Sequence, residues 1–167
     1  MSIEKIISQI IPPSDYEHRN GFSNISMLEK LTNKERKEVE NELVNKLLHK
    51  PSKEVDTLIV ETLAYLKSEI ALPVLRVVLN DCANEMEKLK IATAIFEINQ
   101  DNEMVDIAIN LLRSMDNDKD SYYSHKLISA FYSLIKFKRP EVNKIIEGYV
   151  SHNNYSISYN AKRALSL

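Results

Sequence analysis

Along most of the chain apolar residues recur three and four positions apart, the spacing of one helix face. Ile3, Ile6, Ile7, Ile10 and Ile11 open the pattern, with Glu4, Lys5 and Gln9 between them. Pro12 and Pro13 stop this first helix, because proline lacks an amide donor and restricts the residue before it. Positions 11–24 are the least periodic part, and Asn20-Gly21 is a turn signal there. The pattern resumes at Ile25, Met27, Leu28 and Leu31. Thr32 and Glu35 have the spacing of a capping box. The helix they open places Val39, Leu43, Leu47 and Leu48 on one stripe and sets Glu42 against both Glu38 and Lys46. Lys50-Pro51 predicts its end. Further helices are predicted over 53–67, from near 69 with Leu72, Leu75 and Leu79, then over 85–98, 103–115, 122–137, 140–150 and from 156 to the end. Pro73 falls in a first turn, where a missing N–H costs least. Residues 116–120 read as a polar linker and 151–154 as a turn. No segment sustains period-two alternation, so the reading is all-α with antiparallel helices.

The second helices of successive pairs superpose. Thr62-Leu63-Ala64-Tyr65-Leu66 aligns with Ala94-Ile95-Phe96-Glu97-Ile98, with Ala130-Phe131-Tyr132-Ser133-Leu134 and with the shorter Ala164-Leu165-Ser166-Leu167. In each full copy a small residue precedes a large apolar one, and another apolar residue follows three later. The small residue permits close helix approach and the apolar pair builds the buried stripe. The first helices align more loosely, Leu72 and Leu75 over Met104 and Ile107, with Val142 and Ile145 shifted by one. Internal repetition at this period is the signature of a stacked helical array.

Ala71–Leu79 (ALPVLRVVL), Glu61–Leu66 (ETLAYL) and Ala161–Leu167 (AKRALSL) resemble HEAT-repeat segments. The resemblance spans about residues 34–167, without a regular aspartate-arginine pair at the repeat junctions. It implies an α–α superhelix, a HEAT-like solenoid of about four helical hairpins with an extra N-terminal helix. The chain is then one domain over 1–167, with an N-terminal helical cap and linker over 1–31 and repeats over 32–167. Second helices of such arrays line the concave face. Leu31–Leu43 (LTNKERKEVENEL) is similar to small bacterial HEAT-like proteins, some of which are immunity proteins encoded beside toxins.

Composition narrows the chemistry. The chain has 167 residues, 44% hydrophobic and 28% charged, with a formal net charge of −2. That balance supplies no strong drive toward nucleic acid or an anionic membrane. Two glycines argue against glycine-rich phosphate loops and dinucleotide folds. One cysteine, Cys82, excludes an intrachain disulfide framework. No apolar run reaches the length of a membrane span, and residues 1–11 lack the unbroken apolar stretch of a signal peptide. The expectation is a cytoplasmic protein, monomeric when free, with no nucleic-acid or membrane partner.

No constellation points to catalysis. His18, His49, His125 and His152 include no pair at metal-ligand spacing, and the His-Glu dipeptides through which some HEAT-like enzymes bind iron are absent. No metal or cofactor is expected. Cys82 has no basic neighbour to activate it. The short basic run Lys136–Arg139 lies at a helix end, where cations offset the macrodipole. Any two carboxylates can meet in a fold to make an acid–base pair; Glu61 and Glu97 fall on second helices near the expected concave surface, and solvated face charges are the usual explanation of such residues.

The tyrosines are more informative. Six of the eight fall between 122 and 159, at 122, 123, 132, 149, 155 and 159. The repeat offsets set Thr57, Leu89, His125 and Tyr159 in one row, Glu61, Thr93, Ser129 and Arg163 in a second, and Tyr65, Glu97 and Ser133 in a third. These rows are expected to face the concavity. Tyrosine and arginine anchor protein interfaces. The expected partner-binding residues are Glu61, Tyr65, Glu97, Tyr122, His125, Tyr132, Tyr159 and Arg163. The function expected from this pattern is non-catalytic protein binding. The resemblance makes its most concrete form an immunity protein that neutralises a cognate toxin domain. An adaptor or scaffold subunit is one alternative. A HEAT-like enzyme such as a DNA glycosylase or a bilin lyase is another.

Overall fold

Polar side chains at the helix starts shape the architecture. A helix leaves its first amides without partners, and here Asp15, Thr32, Asp56, Asn84 and Asn154 each accept from an amide at the start of a helix. At Thr32 the capping box is complete: the Glu35 N–H donates to Thr32 Oγ1 (3.3 Å) and the Thr32 N–H to Glu35 Oε2 (2.9 Å). The computed structural model describes residues 2–49 and 54–166, so the predicted stop at Lys50-Pro51 lies outside the described residues.

Among the described residues the order is α1 (Ile3–Ile10), α2 (Tyr16–Arg19), α3 (Ile25–Leu28), α4 (Asn33–Leu48), α5 (Thr57–Tyr65), α6 (Leu72–Asp81), α7 (Glu85–Asn99), α8 (Glu103–Asn117), α9 (Tyr123–Leu134), α10 (Pro140–Glu147) and α11 (Tyr155–Ala164). No strand occurs among them. Helices α4 to α11 form four antiparallel pairs in two layers. In one layer α5 packs on α7, α7 on α9 and α9 on α11. Their partners α4, α6, α8 and α10 form the other layer, and α1 packs on α4. This is the arrangement of a solenoid, in which each pair buries its apolar face on its neighbours.

One apolar core runs from Ile6 to Ala164. Ile6, Ile7 and Ile10 bury α1 in it, each such side chain contributing roughly 1.5–3 kcal/mol before entropy is counted. Helix α7 lies between α5 and α9 and also touches α6 and α8. Six consecutive residues, Ile91 to Phe96, are therefore buried. Phe96 meets Phe137 with ring centroids 4.7 Å apart.

Several expectations are corrected. Leu48 is 55% exposed and off the buried stripe of α4, because position 48 is rotated away from Val39, Leu43 and Leu47 in the last turn. Helix α5 starts at Thr57, since Asp56 caps it, and the predicted helical residues 54–56 precede it; position 53 lies outside the described residues. Residues 69–71 and 135–137 are 3-10 turns and not α-helix. Asp116 and Asn117, read as linker, belong to α8, and α10 ends at Glu147 and not Val150.

The four helices of the α5 layer share an ending that no motif announced. Lys67, Gln100, Lys138 and Ser166 all have left-handed backbone, with φ between 51° and 59°. At Lys67 the motif is of Schellman type: the Lys67 N–H donates to the Ala64 carbonyl and the Ser68 N–H to that of Leu63, both at 3.0 Å.

Candidate partner-binding surface

The eight predicted residues fall into two groups. Glu61, Tyr65 and Glu97 line one groove of about 250 Å³ with Lys136. Its far wall comes from the least periodic part of the chain: Phe22, Asn24 and Ile25 lie across it. This N-terminal strap is fastened at two points. Arg19 grips Asp56 through Nη1 (3.0 Å) and Nη2 (2.8 Å), and its Nε donates to the carbonyls of Pro12 (2.9 Å) and Pro13 (3.0 Å). The buried Asn24 amide donates to Thr62 Oγ1 (2.8 Å) and to the Ile10 carbonyl (3.2 Å). Leu28 is fully buried beyond it.

The groove carboxylates already have cationic neighbours. Lys90 reaches Glu61 at 3.0 Å, and Lys136 reaches Glu97 at 3.5 Å. The Lys67 ammonium donates to the Glu97 carbonyl. The Tyr65 hydroxyl donates to Glu29 at 3.4 Å. The two groove carboxylates are thus engaged by separate lysines.

The second group lies on α9 and α11. Asn154 Nδ2 donates to Ser124 Oγ (3.1 Å), and Tyr132 donates from its hydroxyl to Asn160 Oδ1 (2.9 Å). The two helices therefore run parallel. Tyr122 stands at the start of α9, 68% exposed, with its N–H on Asp120. His125 is exposed one turn on. On α11 Tyr159 and Tyr155 stack with centroids 5.9 Å apart, and Arg163 is exposed in the last turn. Among the described residues no hydrogen bond or ion pair joins this group to the groove.

The predicted rows are only partly exposed. Leu89 and Thr93 were expected on the concave face, and both are buried. Thr93 satisfies its hydroxyl on the Leu89 carbonyl (2.8 Å). Flanking within the layer does not account for this, since α9 is also flanked on both sides and its equivalent His125 stays exposed.

Between α8 and α9 the turn is pinned by charge. Lys126 reaches Asp118 (2.7 Å) and Asp120 (2.8 Å), and these partners raise its pKa well above the ordinary lysine value. Asp116 accepts from the Tyr123 hydroxyl (2.6 Å) and from Lys119 (3.0 Å). Burial pushes the Asp116 carboxyl up, but these bonds and one from Tyr149 outweigh it and leave the group below its usual value. Burial likewise pushes the Tyr149 phenol up. Cys82 is buried at the end of α6 with Sγ 3.3 Å from Glu87 Oε2.

Two signals escaped the repeat rows. Tyr155 belongs to the tyrosine cluster but to no row, and it is 77% exposed. Charge is also segregated along the chain. Residues 121–167 carry seven lysines and arginines against Glu141 and Glu147, a formal +5, which leaves −7 for residues 1–120. Among the described residues no group of three or more His, Cys, Asp or Glu side chains is arranged to hold a metal ion. No helix there is long and apolar enough to cross a membrane. Compared with protein-family models, curated proteins and solved structures, the chain matches none.

Proposed function

We propose that this protein is a non-catalytic protein-binding module. The observation that carries the reading is the display of Tyr122, Tyr132, Tyr155 and Tyr159, each between 39% and 77% exposed, on the packed frame of α9 and α11. Tyrosine supplies large contact area at small entropic cost, and a rigid helical frame limits the ordering penalty of association. The resemblance of residues 31–43 to small bacterial HEAT-like proteins, some of which are immunity proteins, gives the reading its most specific form. In that form the protein is an immunity protein whose surface blocks a toxin domain.

The test is affinity capture with the tagged full chain from its source, beside a Tyr155→Ala/Tyr159→Ala control. One stoichiometric partner held by the wild type and lost by the control supports the module. A toxic activity in that partner, suppressed by stoichiometric addition of this chain, supports the immunity form. A partner retained equally by the control counts against this surface, and no partner at all returns the enzyme alternative to the front. In that case Glu61→Gln and Glu97→Gln are the variants to assay first.

A further inference from the structure

The outward stripe of α11 says something about the chemistry of what it binds. Ile157, Ala161 and Ala164 face the core. Tyr155, Tyr159 and Lys162 follow at four and three residues, on the opposite side of the helix, with Arg163 beside them. Lys162 and Arg163 are exposed, and among the described residues neither has an ion-pair partner. Neither α9 nor α11 contains an acidic residue, and the only two carboxylates of residues 121–167 lie on α10, in the other layer. Lys126 of α9 is already paired with Asp118 and Asp120, so the cations this face leaves open are Lys162 and Arg163, on the same helix as the exposed Tyr155 and Tyr159. The groove on α5 and α7 differs, because its carboxylates and lysines already offset one another.

We infer that the α9–α11 face docks an acidic segment of a partner protein, with Tyr132, Tyr155 and Tyr159 as the contact platform and Lys162 and Arg163 pairing its carboxylates. This inference rests on the protein-binding reading and adds the partner's charge. Opposite potentials across an interface steer encounter and fix register, and a guanidinium pairs a carboxylate in two-pronged fashion. Attraction of this kind is screened by salt.

The experiment is selection of random peptides displayed against the immobilised full chain, followed by binding of the enriched peptides in solution. The expected peptides are net negative with interspersed apolar residues. Their affinity is expected to fall at least about tenfold with Lys162→Glu/Arg163→Glu, and separately with Tyr155→Ala/Tyr159→Ala, and to weaken as salt is raised. Helical content and thermal midpoint of both variants are measured alongside, and the milder Lys162→Gln/Arg163→Gln pair serves if the reversal disturbs folding. Neutral or basic enriched peptides overturn the inference while leaving the binding reading in place. So do acidic peptides indifferent to both variants. A single-stranded oligothymidylate that binds the same face more tightly than any acidic peptide overturns it in favour of nucleic acid. No enrichment at all counts against both the inference and the reading beneath it.

Discussion

Asp56 has two jobs, and separating them tests the account of the N-terminal strap. Its Oδ1 accepts from the Leu58 N–H at 3.1 Å and so caps α5, a contribution of about 1 kcal/mol. The same carboxylate receives both Nη atoms of Arg19, and the two side chains are only 20% and 28% exposed. Hydrogen bonds to charged groups contribute about 1.5–3 kcal/mol, and partial solvent access places this pair at the lower end. Asp56→Ala removes cap and clamp together and is expected to cost about 2–3 kcal/mol. Asp56→Asn keeps an acceptor for the cap and is expected to cost about half as much. The clamp alone is read from a double-mutant cycle of Arg19→Met and Asp56→Asn in urea denaturation, with an expected coupling of about 1–2 kcal/mol. Amide exchange locates the effect. The N–H groups of Met27 and Leu28, bonded to the Asn24 carbonyl, are expected to exchange about tenfold faster in Arg19→Met, while those in the middle of α7 stay protected. A coupling below about 0.5 kcal/mol is the value of an ordinary surface pair. It would mean that Asn24 and Leu28 hold the strap without the clamp.

Three further outcomes follow from the same structure. Lys138→Gly is expected to raise stability by about 0.5–1 kcal/mol, since an L-residue in the left-handed region costs more than glycine's extra freedom, and Lys138→Ala is expected to give no such gain; equal midpoints for the two variants on thermal melting refute this. Leu89→Ala is expected to cost about 2–5 kcal/mol and Tyr159→Ala less than about 0.5, although the repeat offsets make the two positions equivalent; similar costs in denaturant titration refute the layer assignment. In acid, Asp101, lowered first by its bond from Arg76, and Asp116, lowered by bonds that outweigh burial, stabilise the fold fully above the unfolded aspartate value near 3.9 and lose that contribution as pH falls through their lower folded values. Unfolding free energy is therefore expected to hold from neutrality to about pH 5 and to drop below about pH 4, with a shallower drop in Asp116→Asn, and an unchanged acid slope in that variant refutes the assignment.

The start of α4 was legible because its capping box is written locally, whereas the equally local Asp56 cap of α5 was passed over. Thr32 with Glu35, Asn84 before Glu85 and Asn154 before Tyr155 each place an acceptor where the first amides need one. Helix ends were not legible, because the residue type that normally marks them is missing. A left-handed closing residue is most often glycine, and this chain closes α5, α7 and α11, and the turn after α9, with lysine, glutamine, serine and lysine. Each costs about 1–2 kcal/mol relative to an ordinary helical backbone. The recurring feature of the repeat is thus conformational and leaves no trace in residue identity. The pairing of helices was legible for the opposite reason. It rests on small-then-large apolar positions, such as Ala130-Phe131, that burial enforces.

The candidate surface was half legible, and the reason is environmental. Repeat offsets treat every second helix as equivalent, whereas packing does not. On α7 Leu89 and Thr93 are core, while on α9, flanked by α7 and α11, the equivalent His125 stays exposed. Helix α11 has α9 on one side, and the equivalent Tyr159 and Arg163 stay exposed. Helix α5 is approached by Arg19 and Asn24 from about forty residues upstream, a contact that the aperiodic stretch before α4 does not announce. The expected single face is therefore two surfaces of different character. One is a strap-walled groove in which carboxylates and lysines offset one another, and the other is an open tyrosine face on the basic end of the chain. Binding at the second requires no displacement of the strap, so loosening the Arg19–Asp56 clamp and removing the α11 tyrosines perturb separable properties. A partner whose affinity responds to Tyr155→Ala/Tyr159→Ala but not to Arg19→Met fits this division, and one that responds equally to both would join the two surfaces into a single site.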